Sequence, residues 1–154
     1  MTQIIIREAK KDDLKAIKSL LDSASLPSID IEKHLLHFLV MEKSGTIAGT
    51  IGMELYGDKA LLRSLAIQRD YRNKGLGKEL CSALISKAKK MNVNNIYLLT
   101  ETAEGFFSKQ GFQNIERKSV PLAIKHTYEF STLCPEGAVC MVKKLDEDVS
   151  LIPE

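Results

Sequence analysis

Arg72-Asn73-Lys74-Gly75-Leu76-Gly77 follows the strand-like run Ala60-Leu61-Leu62-Arg63-Ser64-Leu65-Ala66-Ile67 and opens an amphipathic helix that reaches about Met91. A strand, a basic glycine-containing turn and a helix N-terminus together make an anion site. The first backbone N–H groups of a helix have no intrahelical partner, and the helix dipole adds partial positive charge there. Gly75 and Gly77 put no side chain in the way of a phosphate. Arg72, Lys74 and Lys78 add full positive charges. The expectation is a phosphate-bearing cofactor held at this turn.

Upstream, Ile4-Ile5-Ile6-Arg7-Glu8 reads as a first strand. Asp12 or Asp13 suits a helix N-cap or first turn, and Leu14, Ile17, Leu20 and Leu21 follow at helical spacing. After Pro27, residues 28–33 start a short second helix, capped by Ser28 or Asp30. Residues 38–42 and 46–55 flank the turn Lys43-Ser44-Gly45 as a hairpin, and Gly57-Asp58 leads into the strand at 59–67.

Downstream, Leu76, Leu80, Leu84, Ile85 and Ala88 share one helix face. Ile96-Tyr97-Leu98-Leu99-Thr100 is nearly all apolar, the pattern of a central strand. Residues 103–109 form a short helix with Gly111 at its C′ position. Residues 112–116 read as a strand, 121–124 as a helical turn and 138–142 as a last strand. The order β-α-α-β-β-β-α-β-α-β-β describes a mixed sheet with helices on both faces, an α+β (α/β mixed) protein. One domain is expected over 1–146, followed by a flexible tail at 147–154.

Composition narrows the class. A chain of 154 residues fits one domain that buries about two-thirds of its unfolded surface. Hydrophobic and charged contents of 44% and 27% are those of a soluble globular protein. A net charge of +2 gives no argument for nucleic acid. The apolar N-terminal run is short and meets charge at Arg7 and Glu8, unlike a signal peptide, and no apolar run approaches a membrane span. An odd number of cysteines, 3, gives no disulfide framework, so a reducing cytoplasm is the expected compartment.

The turn is not alone. Ala103-Glu104-Gly105-Phe106-Phe107-Ser108-Lys109-Gln110-Gly111-Phe112 follows it at a fixed place in the element order. The two segments resemble, respectively, the Arg/Gln-x-x-Gly-x-Gly/Ala pyrophosphate loop and the Ala-x-x-Phe-Tyr-x-Lys-x-Gly-Phe helix of the GNAT N-acetyltransferase family. Residues 61–67, with Leu98-Leu99-Thr100-Glu101-Thr102-Ala103, are similar to the branch that holds N-acetylglutamate-synthase-like enzymes. Thr127-Tyr128-Glu129-Phe130, Leu133-Cys134-Pro135 and Cys140-Met141 resemble acetyltransferases of arsenic-resistance operons. The resemblance covers roughly residues 3–145. It implies a mixed sheet of about six or seven strands, acetyl-CoA as donor, and a small amine as acceptor, an amino acid or a toxic arsenical analogue. It also implies direct attack in a ternary complex, with no nucleic-acid or membrane partner. Relatives often pair, and a homodimer is the corresponding expectation.

The resemblance carries CoA onto Arg72, Asn73, Lys74, Gly75, Leu76, Gly77 and Lys78 for the pyrophosphate. It places the pantetheine arm along Leu65, Ala66 and Ile67. The oxyanion donor is then the N–H of Ala66 or Ile67. Thr102, Phe106, Phe107 and Lys109 complete the implied cofactor contacts. Phe107 stands where most members have a Tyr that protonates the leaving thiolate, and Thr100 where they often have an Asn. The general acid therefore stays open among Thr100, Thr102, Tyr128 and water. Glu54 is the expected base, acting through water, with Glu101 and Glu129 as alternatives.

Arg63 interrupts an apolar strand. It either pairs with an internal carboxylate such as Glu54 or binds a substrate carboxylate, and strand alternation puts it on the face of Leu61 and Leu65. Glu101 and Arg117 are further substrate-binding candidates, and Lys125 a secondary one. His34, His37 and His126 are candidates for acid–base work, histidine being the side-chain type suited to it near neutral pH. His34 and His37 at i, i+3 make a poor metal site, and no metal is expected. Cys134 and Cys140 read as buried structural cysteines; the other reading is a sensor that binds CoA or an arsenical without turnover.

Overall fold

The computed structural model describes residues 3–132 and 137–145. Its strands are β1 (Ile4–Glu8), β2 (Phe38–Lys43), β3 (Thr46–Tyr56), β4 (Lys59–Ile67), β5 (Asn95–Thr100), β6 (Gln113–Asn114) and β7 (Val139–Lys144). Its α-helices are α1 (Leu14–Ser23), α2 (Ile31–His34), α3 (Leu76–Lys90), α4 (Glu104–Lys109), α5 (Leu122–Lys125) and α6 (Tyr128–Thr132). The strands form one seven-stranded sheet in the order β1-β2-β3-β4-β5-β7-β6. β4 and β5 run parallel while β1–β2, β2–β3, β5–β7 and β6–β7 are antiparallel, so the sheet is mixed and flanked by helices, as expected.

The described residues group into two compact units. One holds the chain through Glu54 together with Arg63–Lys87; the other holds Leu55–Leu62 and the chain from Ala88 onward. In the first, Ile17 and Leu21 of α1 and Ile31 of α2 pack with Phe38, Val40 and Ala66. In the second, Leu61, Tyr97, Leu99, Val120, Ile124, Phe130 and Cys140 form the core. The expectation of a single domain over 1–146 stays an expectation.

Local sequence explains most boundaries. The apolar stripe Leu76, Leu80, Cys81, Leu84 and Ala88 is buried along α3, while Lys78, Glu79, Ser82, Lys89 and Lys90 are exposed. At the C-terminus of α3, Asn92 adopts φ +64. Its N–H bonds the Lys89 carbonyl and that of Val93 bonds the Ala88 carbonyl, a Schellman closure. Gly111, at φ +95, closes α4 in the same way, as its sequence position implies.

At two helix starts an expected residue stands at the N-cap, Asp13 before α1 and Asp30 before α2, but neither side chain makes the capping bond. Asp13 does not cap α1 with its side chain; its carboxylate accepts from the Lys10 N–H at 2.7 Å and from two nitrogens of Arg7. The Arg7 hydrogen bonds hold that carboxyl below the usual aspartate range. The second helix begins at Ile31 rather than Ser28, and Asp30 precedes it in a left-handed conformation (φ 65) without a side-chain cap. Ser28 instead donates to Asp22. The strand expected over 112–116 is reduced to Gln113–Asn114, and α6 is an element the periodicity did not signal.

Gly52 of β3 lies where a Cβ would run into the Phe38 ring, itself fully buried. Gly52→Ala is expected to cost about 1–3 kcal/mol through overpacking, read as a lower denaturant midpoint at unchanged slope. A midpoint equal to that of the parent would show that the ring moves aside freely.

Candidate active site

Within the first unit, the basic turn and the start of α3 are open. Gly75 has φ +77, in the left-handed region that favours glycine, and nothing beyond its immediate chain neighbours lies within 4 Å of where its Cβ would stand. Asn73 also has positive φ, at 64. Arg72, Asn73, Lys74, Gly75 and Lys78 are exposed, whereas Leu76 is buried and anchors the helix. The Glu79 N–H bonds the Gly75 carbonyl at 3.3 Å, the first helical bond. The N–H groups of Leu76, Gly77 and Lys78 precede it and have no carbonyl four residues back within the helix to accept them. Arg72 Nε donates to the Ile67 carbonyl at 3.0 Å, which ties the turn to the end of β4. An open left-handed turn, three adjacent donors and three cations suit a pyrophosphate; the residues present therefore fit the phosphates of CoA.

β4 is not a regular strand. Ser64 is buried and left-handed at φ 64, so the alternation expected through Leu61, Arg63 and Leu65 breaks there. Such a conformation costs a non-glycine residue of order 1 kcal/mol or more and persists where neighbours hold it. The ladder with β5 pairs Lys59 with Asn95, Ala60 with Ile96 and Leu61 with Tyr97. β4 continues to Ile67, with Leu65 and Ile67 half-buried and Ala66 buried.

Arg63 is held on all three sides of its guanidinium. Nη1 donates to Glu54 Oε2 at 2.7 Å, Nη2 to the Ile29 carbonyl at 3.0 Å and Nε to Ser64 Oγ at 2.9 Å. It also lies over the Phe38 ring, 5.9 Å from its centroid. The side chains of Arg63 and Glu54 are 1% and 4% exposed. Of the two readings of Arg63, the internal pair is the one the structure contains. The other oxygen of Glu54 faces His34 Nε2 at 3.7 Å, and the His34 side chain is 17% exposed. Burial lowers the His34 pKa below 6.5, against the opposing pull of the Glu54 charge. The sequence names His34 as one of three histidines and weighs it with His37, but not as a neighbour of Glu54. Only contact between α2 and β3 reveals its place, because spacing relates His34 to His37 and not to a strand twenty residues on.

In the second unit, the Thr100 hydroxyl oxygen accepts the Ala103 N–H at 2.9 Å and shapes the turn into α4. Thr100 is buried, Glu101, Thr102 and Lys109 are exposed, and Phe106 is half-buried. Phe107 is buried in edge-to-face contact with Phe106 and Phe112, centroids 5.1 and 5.6 Å away. Glu129 is buried and Tyr128 is exposed.

Arg117 donates from Nη2 to the Phe130 carbonyl at 2.8 Å and stacks on the Phe130 ring at 5.3 Å. With Lys118, Lys125 and Phe130 it lines an open cavity of about 420 Å³. Cys140 is buried in the core cluster, and burial pushes its thiol up to about 11, leaving it protonated and unreactive at neutral pH. Cys134 lies outside the described residues, so the reading of Cys134 and Cys140 together does too.

Residues 5–112 match the Acetyltransferase (GNAT) family. The chain is 30% identical over 152 residues to an uncharacterized N-acetyltransferase of Chlorobaculum tepidum, an alignment covering 91% of this chain and 96% of that one. It is 28% identical over 134 residues to an amino-acid acetyltransferase of Vibrio vulnificus, covering 81% of this chain and 30% of that protein. The fold superposes with a TM-score of 0.81 on N-acetylglutamate synthase from Neisseria gonorrhoeae complexed with coenzyme A and N-acetyl-glutamate, at 21% identity, covering 94% of this chain and 36% of that one. The chain thus spans about a third of the length of these last two proteins.

Proposed function

The chain belongs to the GNAT family of acetyltransferases, and from that membership we propose that it moves an acetyl group from acetyl-CoA to the amine of a small, acid-bearing acceptor of the amino-acid type. The observation that carries this reading is the open, cationic turn at 72–78, set between β4 and the first free N–H groups of α3. Acetyl-CoA supplies an activated thioester carbonyl. Arg72, Asn73, Lys74, Gly75, Leu76, Gly77 and Lys78 hold its pyrophosphate, with the backbone of Leu65, Ala66 and Ile67 along the pantetheine arm. The N–H of Ala66 stabilises the developing oxyanion. On the family resemblance, Thr102, Phe106, Phe107 and Lys109 contact CoA. The Thr100 hydroxyl, whose oxygen accepts the Ala103 N–H, keeps its own proton to donate.

Arg117, beside Lys118 and Lys125, is the side chain for the acceptor's acid group. Its guanidinium is fixed by the Phe130 carbonyl and ring, so little freedom is lost when an anion binds. That role was open to Arg63 in sequence; with Arg63 committed to Glu54, Arg117 and Lys125 inherit it. The amino-acid acetyltransferases among the relatives support the acceptor class. A toxic arsenical or phosphinic amino-acid analogue presents the same amine and acid group. Glu101 remains a candidate contact for the acceptor.

The test is release of free thiol from acetyl-CoA with a panel of amines: glutamate and other amino acids, arsenical and phosphinic analogues, and polyamines. Turnover restricted to acceptors with an acid group is expected. Polyamine acetylation without amino-acid acetylation overturns the acceptor class. For Arg117→Ala, loss of a charge-assisted contact of about 1.5–3 kcal/mol raises KM for an acid-bearing acceptor roughly 10- to 100-fold with kcat little changed. An unchanged KM would remove Arg117 from the acceptor site.

A further inference from the structure

Deprotonating an acceptor ammonium requires a base that touches the amine or a single water bound to it. Glu54 is the carboxylate that its strand position nominates, yet its side chain is 4% exposed and one oxygen is bound to Arg63 at 2.7 Å. Within this cluster, Arg63 and Glu54 are sealed and His34 alone reaches the surface, at 17% exposure. Resting on the acetyl-transfer reading above, we infer that His34 takes the acceptor's ammonium proton and that Glu54, fixed by Arg63, is the positioning residue that sets its tautomer.

The geometry assigns the two ring nitrogens. Nε2 faces Glu54 Oε1 at 3.7 Å. That is longer than a hydrogen bond, but a carboxylate oxygen on this side favours the tautomer with the proton on Nε2 and the lone pair on Nδ1. Nδ1 is then the basic atom. One N–H bond of the ammonium breaks and an Nδ1–H bond forms. The freed amine lone pair makes the bond to the thioester carbonyl carbon, the C–S bond breaks with its electron pair going to the leaving thiolate, and the nitrogen sheds its second proton to solvent water, which leaves the neutral amide. The imidazolium returns its proton to solvent or to the thiolate, which restores the ring. The Glu54 charge stabilises the imidazolium, and Arg63 prevents Glu54 from taking the proton itself.

The charged neighbours bear this out in sign. Burial, Arg63 and Lys33 favour the neutral ring, Glu54 and Asp30 favour the charged one, and burial is the largest influence. His37, whose own pKa is lowered by burial and by Lys87, is a further nearby titrating group. A ring whose pKa falls below 6.5 is neutral at pH 7, so the base is available under ordinary conditions.

The experiment combines kcat–pH profiles with an NMR titration of the His34 ring in the full chain. The parent should show an acid limb below pH 6.5, since a base must be unprotonated to act. His34→Gln should lower kcat by about 10²–10⁴-fold and remove that limb. His34→Gly should regain activity with added imidazole, which a merely structural role would not permit. Glu54→Gln keeps a hydrogen-bond partner for Arg63 but removes the charge that raises the His34 pKa, so the limb should move to lower pH. The NMR spectrum should show the Nε2–H tautomer at pH 7. A His34→Gln profile like the parent's, or an Nδ1–H tautomer, overturns the inference. Absence of turnover by the parent with every amine overturns the functional reading instead, and the tautomer and its response to Glu54→Gln still decide whether Glu54 orients the ring.

Discussion

Gly77→Glu is expected to fold at least as stably as the parent and to lose acetyl-CoA binding by about 100-fold or more. Gly77 is the second residue of α3, where glycine is a poor helix former and where a carboxylate favours the helix dipole. Both effects stabilise the helix, by several tenths of a kcal/mol each. The same carboxylate stands among Arg72, Lys74 and Lys78, where it neutralises the field meant for a pyrophosphate and repels the phosphates directly. Losing about 3 kcal/mol of phosphate attraction corresponds to the stated 100-fold. Calorimetric titration with CoA beside a thermal melt separates the two consequences. Normal CoA affinity in a folded Gly77→Glu protein would show that the phosphates bind elsewhere.

The second large effect is on stability. Arg63→Met should destabilise the protein by about 3–5 kcal/mol, because it leaves the Glu54 charge buried without its partner. The comparison that makes this decisive is the double variant Arg63→Met with Glu54→Met. Removing both charges spares the fold an uncompensated ion, and most of the loss should return. Urea unfolding of the two single variants and the double variant closes the cycle. A loss under about 1 kcal/mol for Arg63→Met would mean that water reaches Glu54 and that the pair behaves like a surface bridge. In whatever activity Arg63→Met retains, KM for an acid-bearing acceptor should stay near the parent's, in contrast to Arg117→Ala.

What could be read from sequence follows from how local the cause is. The hairpin at 38–55 was legible because Lys43-Ser44-Gly45 carries turn chemistry, and β5 because Ile96-Tyr97-Leu98-Leu99 leaves no polar face. The phosphate turn was legible because its chemistry lies in consecutive residues. α6 was not, since Tyr128-Glu129-Phe130-Ser131-Thr132 is too short for helical periodicity and its burial comes from packing in the second unit. The cluster of Arg63, Glu54 and His34 was half legible. A guanidinium in an apolar strand demands a partner, which named Glu54 as an option. His34 demanded nothing, being small enough and neutral enough to sit anywhere. The left-handed Ser64 could not be seen at all, because serine carries no signature of positive φ.

That single left-handed residue also bears on how β4 finds its place during folding. A plain strand can slide by one residue and still close its hydrogen bonds, trading one face for the other. Here a slide would force Arg63 or Leu65, both with larger side chains, into the conformation that Ser64 now holds at φ 64. It would also detach the Arg63 donors from Glu54 and Ile29 together. The kink thus acts as a detent. Mispaired arrangements of the sheet are raised in energy at one point in the chain, and the backbone of Leu65, Ala66 and Ile67 is delivered in a single alignment without any tuning by the loop that follows.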